Sequence, residues 1–117
     1  MNVSQRDVWW STLPDPVGSE AGYRRPVIIV QNDTINITRL ATYLCIPMTA
    51  ALQRQAIPWN LLFPQSTTGL PTDSVAQTSL LFAIDQSRLI ERTGRITEGQ
   101  LQRLFARLDI ALGRHGV

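Results

Sequence analysis

The sequence predicts a mainly β fold of the α+β class, a small barrel with one amphipathic helix packed on it at the C-terminal end. Three observations carry that expectation. Short β-branched or aromatic runs recur along the chain, each stopped by proline, glycine or Asn/Asp punctuation. One long helical-period segment lies near the end, opened by Thr97 with Gln100 three residues on and closed by Gly113. The 117 residues, 44% of them hydrophobic, suit one domain spanning residues 1–117 around one core. No internal repeat is visible.

The first strand is expected over Asp7–Leu13, where Val8, Trp9 and Trp10 precede the turn cluster Pro14, Asp15 and Pro16. A polar loop follows, with Ser19 and Glu20 between Gly18 and Gly22. Pro26 pushes Arg25 into an extended conformation, which suits a strand entrance. Residues 27–30 are apolar without alternation, so a strand over residues 26–31 reads as buried on both faces, with Arg25 at the rim of a cleft. Asn32, Asp33 and Asn36 favour a turn. Residues 41–48 read as another strand ending at Thr49, followed by a polar connection over residues 50–56 that contains Arg54. Residues 59–63 read as a short strand and 65–71 as a loop. Residues 74–79 and 80–84 supply one or two strands, and 85–90 fit a helical turn. The final helix places Leu101, Leu104, Phe105, Leu108 and Leu112 on one core-facing stripe, away from Arg103, Arg107 and Asp109.

The net charge of +2 is too small to argue for a nucleic-acid partner, but all 11 basic residues are arginine. Arginine forks match phosphate geometry and stack on bases. A GC-rich genome explains the same bias, so composition leaves RNA binding open. Arg88, Arg92, Arg95, Arg103 and Arg107 read as solvated. No apolar run reaches membrane-span length, and the first residues lack a secretory pattern. The single cysteine, Cys45, lies in an apolar segment and reads as a buried inert thiol. The expected compartment is the cytoplasm.

The common catalytic sets are missing. The one histidine, His115, sits beyond the helix, where a frayed tail is expected. One histidine and one cysteine give no Cys/His zinc site, and no paired carboxylates mark a two-metal nuclease. There is no phosphate-binding glycine loop. An enzyme built from this chain rests on arginine, hydroxyls and a carboxylate. RNA cleavage suits such a kit, because the 2′-OH beside the scissile phosphate is already a nucleophile. Arginine neutralises the charge that develops on the phosphorane. It is a poor base, so Glu20, water or the phosphate itself has to take the proton. Arg25 also reads as a structural partner for a carboxylate, and Thr49 as an ordinary strand-end hydroxyl. Trp9, Trp10 and Trp59 either stack bases or pack in the core.

Gly18-Ser19-Glu20, Arg25-Pro26-Val27 and Gln31-Asn32-Asp33 stand at the spacing of one known signature, and the chain resembles the MazF/PemK (Kid) toxins from Asp7 to the last helix. Ile84-Asp85 with Arg88-Leu89 is a weaker echo of the same family. The resemblance implies an SH3-like barrel of the MazF/PemK/CcdB type that forms homodimers. It implies sequence-specific cleavage of single-stranded RNA by 2′-OH attack, without metal or cofactor, leaving 2′,3′-cyclic phosphate and 5′-OH ends. Carried over by position, Arg25 stabilises the transition state and assists proton transfer, and Thr49 contacts the scissile phosphate. Ser19 and Glu20 border an RNA channel at the dimer interface, and Arg24, Gln31, Asn32 and Arg54 complete the expected RNA-binding set. The implied partner is a MazE-like antitoxin whose disordered C-terminal tail folds onto the toxin. Departures from the family pattern are Arg6-Asp7 where Gly-Asp is usual, Ser19 where some relatives have histidine, and Ser79 and Phe82 where some have an acid and an arginine. Two rival readings are a gyrase-poisoning toxin on the same barrel and a catalytically inactive RNA- or antitoxin-binding module.

Overall fold

Residues 1–114 are described by the computed structural model, so the expectation for His115 lies outside the described residues. The strands are β1 (Asp7–Leu13), β2 (Tyr23–Ile29), β3 (Thr42–Thr49), β4 (Leu61–Phe63), β5 (Ser74–Ala76), β6 (Phe82–Asp85) and β7 (Leu89–Arg95). The helices are two single turns, α1 (Asp33–Asn36) and α2 (Gln65–Thr68), and the long α3 (Glu98–Leu112). Strand order is β4-β5-β3-β2-β1-β7, with β6 also paired to β3 and every pairing antiparallel. On one edge β3 serves two partners in succession, β6 along Thr42, Tyr43, Leu44 and Cys45, then β5 at Met48 and Thr49. That switch of partner curls the sheet.

Alternation along the central strands divides the apolar residues between two clusters. Val8, Ile28, Ile46, Met48 and Phe63 face α3, where Leu101 and Leu104 are fully buried against them. Trp9, Val27, Ile29, Cys45 and Ile84 form the second cluster on the opposite face. The apolar run after Pro26 is therefore buried on both sides, as its lack of alternation predicts. Burying one such side chain contributes about 1.5–3 kcal/mol. Helix α3 has the expected capping box, with Thr97 Oγ1 accepting from Gln100 N and Gln100 Oε1 accepting from Thr97 N. Gly113 ends it in the left-handed region. Phe105 and Leu108 pack on the core edge, whereas Leu112, the last residue of the helix, stays exposed.

The two end strands, β4 and β7, are joined through α2. Thr93 Oγ1 on β7 donates to Thr68 O at 2.7 Å, and a Cβ on Gly94 would lie 2.5 Å from the same carbonyl oxygen. Residues 65–71, expected as a loop, thus hold a helical turn, whose Gln65 N donates to Asp73 Oδ1. Strand β7 is absent from the sequence reading. Its residues LIERTGR are polar after the first two, and among the described residues it pairs only with β1, so no apolar alternation marks it. Arg92 and Arg95 are consequently not simple solvated charges. Both reach buried Asp7 on β1, at 3.6 and 3.1 Å. Asp7 Oδ2 also accepts from Ser4 N and Trp9 Nε1. Arg6, just before it, has a φ of 81°, a backbone state that glycine adopts without strain. That conformation accounts physically for Gly-Asp being usual there in the family the sequence resembles. Trp59 lies outside β4, half-exposed, with its carbonyl accepting from Thr78 Oγ1.

Candidate active site

Two prolines shape the site. Pro26 pairs with Trp10 on β1 and leaves no N–H to donate, and Pro47 does the same opposite Val27. The β2–β3 pairing ends at Val27↔Pro47, two residues from Arg25 on one strand and from Thr49 on the other, while β3 runs on to pair with β5 at Met48 and Thr49. Gln77 fills the fork between them. Its backbone N–H donates to Pro47 O at 3.0 Å, and its side-chain Oε1 accepts from Arg25 Nη1 at 3.2 Å. From the other side Ser11 Oγ donates to Arg25 O at 2.7 Å, fixing the backbone. Arg25 is half-buried, and the desolvation lowers its pKa from the ordinary arginine value, which sharpens it as a hydrogen-bond donor. Thr49 Oγ1 accepts from Ala51 N at 3.2 Å, so the hydroxyl keeps its proton to donate.

Between the loop after β1 and the segment that follows Gln77 opens a cleft of about 390 Å³, lined by Leu13, Ala21, Leu81 and Phe82 together with Asp15, Glu20 and Ser79. The loop that forms one wall is tightly folded. Val17 N donates to Glu20 Oε1 at 2.9 Å, and Glu20 N to Val17 O. A Cβ on Gly22 would lie 2.4 Å from the Pro16 ring and 2.9 Å from Pro14 O, so only glycine lets the loop fold back this closely. Ser19 is exposed on the same loop.

The remaining expected contacts divide. Arg24 follows the strand alternation to the face opposite Arg25, where its guanidinium stacks 4.3 Å from the centre of the Trp10 ring. Gln31, expected as an RNA contact, is placed inside the fold. It is buried, its Nε2 donates to Thr42 O and Asn36 Oδ1, and its Oε1 accepts from Leu44 N, so the amide is committed to joining α1 to β3. Asn32 is the N-cap of α1, accepting from Thr34 N and Thr34 Oγ1. Arg54 is exposed in a 3₁₀ turn (Leu52–Ala56) soon after Thr49. Asp85 accepts from the Ser87 hydroxyl and backbone, which lowers its pKa and keeps it ionised. The sequence reading missed Gln77 altogether, because no local pattern marks a lone glutamine as an arginine's brace.

Residues 4–112 match the PemK-like, MazF-like toxins of type II toxin–antitoxin systems. The chain belongs to that family. It is 34% identical to endoribonuclease MazF6 of Mycobacterium tuberculosis over 96 residues, covering 82% of this chain and 84% of that one. Its fold is that of MazF from Deinococcus radiodurans, at a TM-score of 0.80, 19% identity and coverage of 97% and 98%. A mycobacterial endoribonuclease solved in complex with its cognate antitoxin superposes at a TM-score of 0.70 and 18% identity, covering 96% and 94%. The barrel and the toxin family expected from the sequence are those observed. The chain is an endoribonuclease toxin of this family.

Proposed function

We propose that this toxin cleaves single-stranded RNA at specific sequences without a metal ion, using Arg25 and Thr49. The observation that carries the reading is the guanidinium of Arg25, half-buried and anchored on Gln77, whose backbone N–H is bonded to Pro47 O two residues before Thr49 on β3. The 2′-hydroxyl of the substrate gives up its proton, to Glu20, water or the phosphate itself, and its oxygen attacks phosphorus as the P–O5′ bond breaks, giving a 2′,3′-cyclic phosphate. The departing 5′-oxygen takes up a proton and becomes the 5′-hydroxyl. The protein's task is to align these atoms and to neutralise the phosphorane. Arg25 supplies the fixed charge and Thr49 a donor for a phosphate oxygen. Ser19 and Glu20 border the substrate path, with Arg54 on the far side of Thr49.

The reading includes a homodimer and an antitoxin that silences the enzyme in the cytoplasm. Ile35, Ile37, Leu40 and Leu44 are left exposed close together in sequence, and an apolar surface of this kind supports association. Among the described residues, no helix is long and apolar enough to cross a membrane. The test is incubation of the purified protein with a long single-stranded RNA in EDTA, with the ends mapped. Discrete cuts bearing 5′-hydroxyls, lost in a folded Arg25→Ala variant, are expected. Cutting by that variant at the wild-type rate would remove Arg25 from the mechanism.

A further inference from the structure

We infer that the cleft between the loop after β1 and residues 79–82 is a base-reading subsite that selects a nucleobase carrying an exocyclic amino group and disfavours uracil. The inference rests on the RNA-cleaving function proposed above and adds what the substrate must present. Three features of the cleft lead to it.

Its floor is apolar and partly aromatic, made by Leu13, Ala21, Leu81 and Phe82, a surface on which a flat base loses water favourably. Its charged lining is acidic, from Asp15 and Glu20, with the Ser79 hydroxyl as a further polar group. Two carboxylates repel a phosphate group, so the part of a nucleotide that enters is the uncharged base. A carboxylate only accepts hydrogen bonds, so it favours the amino groups of cytosine, adenine and guanine. Uracil presents carbonyl oxygens on either side of its single N–H, and these face the carboxylates unfavourably. Glu20 is held in place for this task, since Oε1 already accepts from Val17 N and the other oxygen keeps its acceptor capacity.

The third feature is position. The segment that braces Arg25 continues directly into the cleft wall, because Gln77 holds the guanidinium and Ser79 lines the cleft two residues later. A base seated there belongs to a nucleotide adjoining the scissile phosphate. The volume of about 390 Å³ accommodates one base. The same cleft therefore sets the cutting sequence and positions the phosphate on Arg25.

The experiment separates this inference from the nuclease assignment by measuring binding without cleavage. The wild-type protein is titrated with 2′-O-methyl heptamers, which have no free 2′-OH to attack. One is all uridine, and the others carry a single central cytosine, adenine or guanine. At least one amino-bearing base should bind about tenfold more tightly than uridine. In an Asp15→Asn/Glu20→Gln variant the new amides can donate to uracil oxygens, so the preference should vanish or reverse. Equal affinity for all four heptamers, or an unchanged preference in the variant, would overturn the inference. Either result stands whether or not unmodified RNA is cut.

Discussion

Gln77 holds Arg25 through one hydrogen bond, and the arginine's direction depends on it. Gln77 is thus a positioning residue, and Gln77→Ala should lower the cleavage rate at saturating RNA about tenfold, the worth of one bond to a charged group. Affinity for uncleavable RNA should stay within about twofold. A variant that instead lost affinity at an unchanged rate would place Gln77 on the substrate path rather than behind Arg25. The extended conformation of Arg25 on β2 was legible in the sequence, since a proline after it and an apolar run beyond fix a strand there. Its brace was not, because the two residues are 52 positions apart and meet only through the fold. Cys45 was legible too. It is fully buried, and desolvation pushes its thiol well above the ordinary value. A raised pKa keeps the thiol protonated from neutral through mildly alkaline pH, so the nucleophilic thiolate is not populated. Iodoacetamide at about pH 8 should leave the native protein unmodified and label it once urea unfolds it. Labelling of the native protein at the rate of a free thiol would contradict that burial.

Elements were legible where their signals are local. The capping box and terminal glycine of α3 mark both of its ends, and the unalternating run marks β2 as a two-sided core strand. Strand β7 and helix α2 escaped because their reasons for existing lie in each other. The carbonyls of Thr67 and Thr68 sit against the β7 backbone at Gly94, and Thr93 Oγ1 donates to Thr68 O. Any side chain at residue 94 would enter that contact, at 2.5 and 2.7 Å from the two carbonyl oxygens. The neighbours are backbone, which cannot rotate away. Gly94→Ala should therefore cost about 1–3 kcal/mol, read as a lower midpoint in urea unfolding with an unchanged slope. An unaltered midpoint would mean that α2 yields without penalty and does not secure the barrel's seam. The acidic end of the same region follows the same logic. Asp7 is buried, yet Arg92 and Arg95 come to it from β7, so the charge pairing depends on a strand that no periodicity announces.

Across the whole molecule the charges nearly cancel, with 11 arginines against 9 carboxylates and a net charge of +2. Several arginines are occupied within the fold: Arg92 and Arg95 on Asp7, Arg107 on the carbonyls of Pro58 and Asn60, Arg24 over Trp10. Long-range attraction for RNA is consequently weak, and the proposed binding mode relies on a few local phosphate contacts joined to base contacts in the cleft. Each phosphate contact on a single strand contributes about 0.7 to the slope of log affinity against log salt. The proposed substrate path has Arg25 and Arg54 as its arginines, so a slope of about −1.4 is expected for a short single-stranded RNA. Arg25→Ala and Arg54→Ala should each reduce it by about 0.7. An affinity independent of salt would remove phosphate contacts from the binding mode. A slope steeper than about −4 would require many more arginines on the path, and the RNA would then run across the β7 and α3 surface instead of between Arg25 and Arg54.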